Sequence, residues 1–313
     1  MMANLIVSFE VVAPLLILML LGAMLLRIHI FDESTVKKMN TAVFKVFLPA
    51  LIFNNVYNSS IDDVKNIGTA LYTAAVIVGA FAFSMLVVCL IEKDNAMRGV
   101  MVQGMCRSNF VIFGVPLCVS ICGEGVLGKV SVAVAIVVPV LNILSVIVLE
   151  FFRGGRPSLR KMLKGIITNP LIIASLLGIA VLLSGIKLPK IISNSVNDVA
   201  KIATPLALIL LGASVNLSSV RGNLRELIVT ISGKLIILPF VGILIAALLG
   251  MRGGDIALLI AALASPTAVS SYPMALQMEG DGELAAQIVA FGTALCIATV
   301  FLWVFILKQL GLI

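Results

Sequence analysis

Charge is scarce in this chain: of 313 residues only 12% are Asp, Glu, Lys or Arg, about half the share of an ordinary globular domain. There is one histidine, His29, and no HExxH pattern, so a histidine-built metal centre is excluded. The five cysteines, Cys89, Cys106, Cys118, Cys122 and Cys296, fall inside apolar runs without metal-ligand spacing and read as small buried hydrophobes. Acids are missing from the middle of every apolar run. Glu92, Asp94, Glu124, Asp198, Glu226, Asp255, Glu279, Asp281 and Glu283 sit at run ends or in loops, and Glu10 and Glu150 lie close to ends. An acidic cation site or carboxylate proton relay at mid-membrane is therefore not visible. Without paired mid-membrane acids or a serine with an evident base, no enzyme is indicated.

Apolar residues are what the chain has instead, at 61% of the sequence with a mean hydropathy of +1.18. It reads as an all-α polytopic membrane protein embedded in the lipid bilayer. The first run, Val7 to Leu26, lacks a basic leader and a small-residue cleavage site and reads as a retained first helix. Runs of about 20 apolar residues predict ten transmembrane helices near 7–27, 40–57, 67–91, 99–121, 127–150, 168–185, 193–215, 225–249, 255–278 and 284–308. The formal charge of +7 reflects membrane topology, and nucleic acid is not an expected partner.

Loop lysines and arginines set the orientation, because cationic side chains resist translocation. With the N-terminus outside, the cytoplasmic face holds Arg27, Lys37, Lys38, Lys93, Arg98, Arg153, Arg156, Arg160, Lys161, Lys164, Arg221 and Arg225. The other face holds Lys65, Lys129, Lys187, Lys190, Arg252 and Lys308, so the count is twelve against six. Both termini are expected on the extracytoplasmic side.

The two halves echo one another. At an offset of 156, Pro14, Leu15, Ile17, Leu21 and Gly22 match Pro170, Leu171, Ile173, Leu177 and Gly178, while Lys45 and Pro49 match Lys201 and Pro205. At 157, Ser108, Pro116, Gly123, Gly125 and Leu127 match Ser265, Pro273, Gly280, Gly282 and Leu284. The expected organisation is one membrane domain made of two five-helix repeats, 1–155 and 156–313. Five is odd, so the second repeat must run inverted, a common plan of secondary transporters.

The fourth and ninth segments are the interrupted ones. Ser108, Asn109, Gly114 and Pro116 punctuate the fourth; Ser265, Pro266, Thr267, Ser270, Ser271 and Pro273 punctuate the ninth. Proline removes a backbone donor and glycine adds freedom, which predicts unwinding in both. Exposed backbone at membrane depth is tolerated only where it lines protein or a cavity. Half-helices opened by Pro116 and Pro273 would aim positive dipole ends at the membrane centre, an arrangement that favours an anion. Arg107 adds a cation beside Asn109, as direct ligand or as structural partner. Asn142, three residues after Pro139, adds an amide able to donate to a carboxylate. Asn54 and Asn55 read equally as ligands or as helix-to-helix hydrogen bonds. Lys45 and Lys201 read as snorkelling cations, and the deeper Lys234 stays open.

RSNFVIFGVPL (Arg107 to Leu117), FLPALIF (Phe47 to Phe53), NPLIIASLLG (Asn169 to Gly178) and SPTAVSSYPMA (Ser265 to Ala275) resemble the auxin efflux carrier family of plant auxin carriers and bacterial organic-acid permeases. The resemblance covers essentially the whole chain. It implies a bile acid:sodium symporter type of fold with crossing fourth and ninth helices. It also implies substrate contacts from Asn109, Pro116, Asn142, Pro266 and Pro273, to which the residue reading adds Arg107, Ser265 and Thr267. The chain lacks the long central loop of the plant members and their embedded acid on helix three, and looks closer to malate or malonate permeases. The expected function is a secondary carrier of small organic anions such as mono- or dicarboxylates, in a bacterial inner membrane. Sodium or proton coupling, a sodium symporter, a homodimer and a non-transporting receptor remain open alternatives, and no cofactor is expected.

Overall fold

A computed structural model describes residues 2–59, 67–153, 159–216 and 219–313. The side chains of residues 2–11, 159, 161 and 162 lie outside the description, as do Lys65 and Arg156 altogether, so Glu10 and Lys161 are placed by backbone only. Among the described residues the chain is helical, apart from one isolated bridge between extended segments.

Among the described residues thirteen helices follow one another, with a 3-10 turn at Glu124–Val126: α1 (Met2–Arg27), α2 (Glu33–Tyr57), α3 (Ile67–Ile91), α4 (Asn95–Cys106), α5 (Phe110–Cys122), α6 (Leu127–Phe152), α7 (Leu159–Ile167), α8 (Pro170–Ser184), α9 (Lys190–Ser214), α10 (Leu224–Leu248), α11 (Gly254–Leu263), α12 (Ser271–Gln277) and α13 (Gly282–Gln309). Six of them are long and apolar enough to cross a membrane, and four shorter apolar helices accompany these. Nine apolar segments coincide with expected ones to within about five residues at each end. The second begins seven residues early, because Asp32 caps the amide of Thr35 at 2.6 Å and starts a polar turn that hydropathy alone passes over. The short α7 was not expected.

Among the described residues three prolines follow a widened helical turn. Each of the three π-turns, Val43–Phe47, Phe110–Gly114 and Gly233–Ile237, ends two residues before a proline, at Pro49, Pro116 and Pro239. Proline crowds the carbonyl one turn earlier, and shifting to an i→i+5 bond gives the ring room without ending the helix. The fourth segment consequently opens at Arg107–Asn109, ahead of Pro116, which lies within α5. The ninth opens over 264–270, ahead of Pro273 at the third position of α12.

Packing groups the helices into two bundles, which meet where α1 runs against α13 and α6 against α8 and α2. In the first, α1 crosses α9, and α2 packs against α8 and α9. The α1–α9 crossing is close because neither helix has a side chain there. A Cβ on Gly22 would stand 1.8 Å from the Ile209 carbonyl oxygen, and one on Gly212 would stand 1.9 Å from that of Met19. Small residues at such crossings let backbones approach where lipid supplies no hydrophobic drive between helices. Gly178, the counterpart of Gly22, seats α8 in the same way against Val56 and the Phe53 carbonyl of α2. The second bundle joins α3, α4 and α6 on one side to α10, α11 and α13 on the other, with α5 against α11 and α12 against α13.

Candidate substrate site at the helix crossing

The two unwound stretches run antiparallel and bond to each other. The amide of Asn109 donates to the carbonyl of Pro266 at 2.8 Å, and that of Ala268 donates to Arg107 at 3.1 Å, pairing Ser108 with Thr267. Backbone groups released by unwinding are thereby satisfied inside the protein, as a low-dielectric setting requires. Thr267 adds a hydroxyl bond to the Gly104 carbonyl at 2.8 Å, pinning the ninth segment to the end of α4.

Arg107, Asn109 and Ser108 all reach a cavity of about 70 Å³ between the two bundles. The Ser108 hydroxyl also takes a hydrogen bond from the ammonium of Lys234 and passes one to the Ala262 carbonyl. Across the cavity stand Leu48, Leu51 and Asn55 of α2 with Thr204 and Ala207 of α9. Leu48 and Leu51 are the counterparts of Thr204 and Ala207 at the 156 offset, so both halves contribute the same turn to one wall.

Arg107 is 4% exposed. Its Nη2 donates to the Asn142 side-chain oxygen at 2.7 Å and to the Ser270 hydroxyl at 2.9 Å, and its Nη1 to the sulfur of Met274. All three acceptors are neutral. Among the described residues the four ion pairs are Lys129–Asp255, Arg153–Glu150, Arg153–Glu279 and Lys201–Asp198; neither Arg107 nor the 2% exposed Lys234 has an acidic partner. Asn109 is buried as well, and its Nδ2 has no hydrogen-bond acceptor. The first-turn residues of α5, Phe110 to Ile112, line the same cavity, and first-turn amides lack partners within their own helix.

Of the residues singled out from sequence, Arg107, Asn109 and Asn142 come together on the cavity. Pro266 contributes its carbonyl to the crossing, and Thr267 its anchor. Ser265 is turned back onto the Ala261 carbonyl at 2.5 Å. Pro116 and Pro273 lie within helices beyond the crossing, away from the cavity wall. Asn54 bonds Asn197 of α9 at 3.3 Å, a link between helices, whereas its neighbour Asn55 faces the cavity. Lys45 and Lys201 are exposed. Thr204 and Met274 were missed; the repeated lysine-to-proline spacing pointed to Thr204, which precedes Pro205 as Leu48 precedes Pro49.

A family model described as membrane transport protein matches this chain twice, over residues 7–156 and 154–304. An uncharacterized transporter of Methanothermobacter thermautotrophicus is 24% identical over 303 residues, covering 95% of this chain and 97% of that protein. With a match to each half, a multi-pass apolar architecture and motifs of the auxin efflux carriers at the crossing, the chain belongs to the membrane transport protein family.

Proposed function

We propose that this membrane transporter is a secondary carrier of small organic anions, mono- or dicarboxylates, that bind at the crossing between Arg107 and Asn109. The carrying observation is a buried guanidinium with only neutral acceptors, facing a cavity beside an amide N–H that has no acceptor. Burying a charge costs several kcal/mol unless it is compensated, and an arriving carboxylate supplies the missing countercharge with bidentate geometry. The N-terminus of α5 adds oriented N–H groups on the same wall.

The reading includes two inverted five-helix repeats, 1–155 and 156–313, making ten crossings, with both termini outside a bacterial inner membrane. Alternating access follows from movement of the α1, α2, α8, α9 bundle against the one that holds the crossing. Sodium coupling has less support. Ser270 already accepts from the Arg107 guanidinium, whose charge repels a second cation. Proton coupling needs no further ligand, since a weak acid carries its own proton.

Proteoliposomes loaded with a panel of labelled mono- and dicarboxylates test the class, with and without sodium and pH gradients. Uptake of at least one acid above protein-free vesicles is expected. A panel in which no carboxylate moves overturns the assignment.

A further inference from the structure

A second space lies between the bundles, separated from the crossing cavity by one layer of side chains. It has a volume of about 630 Å³ and is lined by Glu33, Lys37 and Asn40 of α2, Ser214 at the end of α9, and Tyr272 and Gln277 of α12. Glu33 and Lys37 are exposed at its mouth, so this vestibule opens on the face that carries Arg27 and Arg221.

Three elements repeat the same order. Along α2 the cavity residues Leu48 to Asn55 give way to buried Val43 and Phe44, then to the vestibule residues. Along α9, Thr204 and Ala207 give way to buried Leu210 and Leu211, then to Ser214. Along the ninth segment, Ser270 lines the cavity while Tyr272, 2% exposed, lines the vestibule. These middle residues are the layer that separates the two spaces.

Hydrogen bonds tie the two bundles together at the vestibule side of that layer. Asn40 donates its side-chain N–H to the Tyr272 oxygen at 3.3 Å, and the Tyr272 hydroxyl donates to Ser214. Gln277 donates to Thr41 at 3.0 Å one turn further on. The remaining oxygen of Asn40 is buried without a donor. Each bond joins α12, in the bundle of the crossing, to α2 or α9 in the other bundle.

Tyr272 also sits midway between Ser270 and Met274, both of which accept from Arg107. A carboxylate arriving at the guanidinium competes for those N–H groups with a full negative charge and bidentate geometry, against acceptors that are neutral. Ser270 and Met274 are then released, and the two turns of α12 are freed with the tyrosine they carry.

We infer that Tyr272, latched by Asn40 and Ser214, is the gate between vestibule and substrate cavity, and that occupancy of Arg107 unlatches it. The inference rests on the carrier reading for its ligand, but the latch is testable without any substrate.

In a background with the five native cysteines replaced by alanine, Thr204→Cys places one thiol in the cavity. A membrane-impermeant maleimide reports its access in vesicles of either orientation, and a separate Ser34→Cys protein identifies which vesicles present the vestibule face. Tyr272→Phe keeps the ring and removes the latch. Labelling from the vestibule face should rise about tenfold, the scale set by losing hydrogen bonds of this kind, with no change from the opposite face. Arg107→Gln should raise it in the same direction. Unchanged labelling, or an equal rise from both faces, overturns the gate.

Should the cysteine-free background not fold, Ser214→Ala in the native chain gives the second test. Hydrogen exchange over 271–277 should quicken while α4 stays unchanged; identical exchange over 271–277 overturns the latch. A latch that fails these tests leaves the carboxylate panel untouched. A silent panel with a working latch removes the anion and keeps the gate.

Discussion

Asn109 and Pro266 hold each other across the molecule, the amide of one on the carbonyl of the other at 2.8 Å, and they are each other's counterparts at the 157-residue offset. In the antiparallel register that pairs Ser108 with Thr267, that offset exchanges the two strands about the Asn109–Pro266 pair. One residue contributes a free amide side chain to the cavity. The other contributes none, so the symmetric backbone carries an asymmetric site.

Asn109 should be separable from the fold, because the crossing uses its backbone N–H and the cavity its side chain. Asn109→Ala is expected to express and purify normally while transport of a carboxylate falls at least about tenfold, the loss of roughly one charge-assisted hydrogen bond. Asn109→Asp should be worse, since it sets a negative charge beside the anion. Initial uptake rates at matched incorporation check both. Asn109→Ala at the wild-type rate removes the side chain from the site.

Lys234 is a buried cation whose hydrogen bond goes to the Ser108 hydroxyl. Replacing a buried charge by an apolar group of similar volume is often neutral or stabilising, whereas truncation leaves a cavity costing about 2–5 kcal/mol. Lys234→Met should therefore unfold near the wild-type temperature in detergent, and Lys234→Ala several degrees lower. If Lys234→Met unfolds as early as Lys234→Ala, the ammonium itself is holding the fold.

The crossing of α1 and α9 tolerates no side chain. A Cβ at either Gly22 or Gly212 would lie under 2 Å from a carbonyl oxygen of the other helix, so Gly22→Val and Gly212→Val must push the helices apart. Overpacking of this sort costs about 1–3 kcal/mol or more. Gel filtration of the detergent-extracted variants should show a fall in monodisperse protein. Gly79→Val, with nothing within 4 Å of a Cβ, should behave as wild type.

Asp32 caps α2 through the Thr35 amide; the Thr35 hydroxyl first, and then this amide, hold its carboxyl below the usual value of 3.8. A depressed folded-state pKa means the cap is fully present above the unfolded value and is lost as pH falls through the folded one. Exchange protection at the Thr35 amide should persist at pH 5 and vanish under stronger acid. Asp32→Ala should remove it at every pH.

The positions of the apolar segments were legible because a long apolar run has few structural alternatives in lipid, and nine of them fall where hydropathy places them. The breaks were legible too, but their location was not. Pro116 and Pro273 drew attention to themselves, yet the chain unwinds some residues earlier, because a π-turn absorbs Pro116 and the first turn of α12 absorbs Pro273. Arg107 and Asn109 could be read as candidates from residue type alone. That they share a cavity with Leu48, Asn55 and Thr204 depends on the packing of two bundles, and no local pattern records it. The repeat held that information indirectly: Leu48 and Leu51 around Pro49 correspond to Thr204 and Ala207 around Pro205, and all four line the cavity.

The central claim is that the unpaired guanidinium of Arg107 receives the transported anion. Counterflow in proteoliposomes preloaded with an unlabelled carboxylate tests it most directly, comparing wild type with Arg107→Gln at equal incorporation. The account predicts accumulation of the labelled acid by wild type and none above protein-free vesicles by Arg107→Gln. Exchange by Arg107→Gln at the wild-type rate would contradict it.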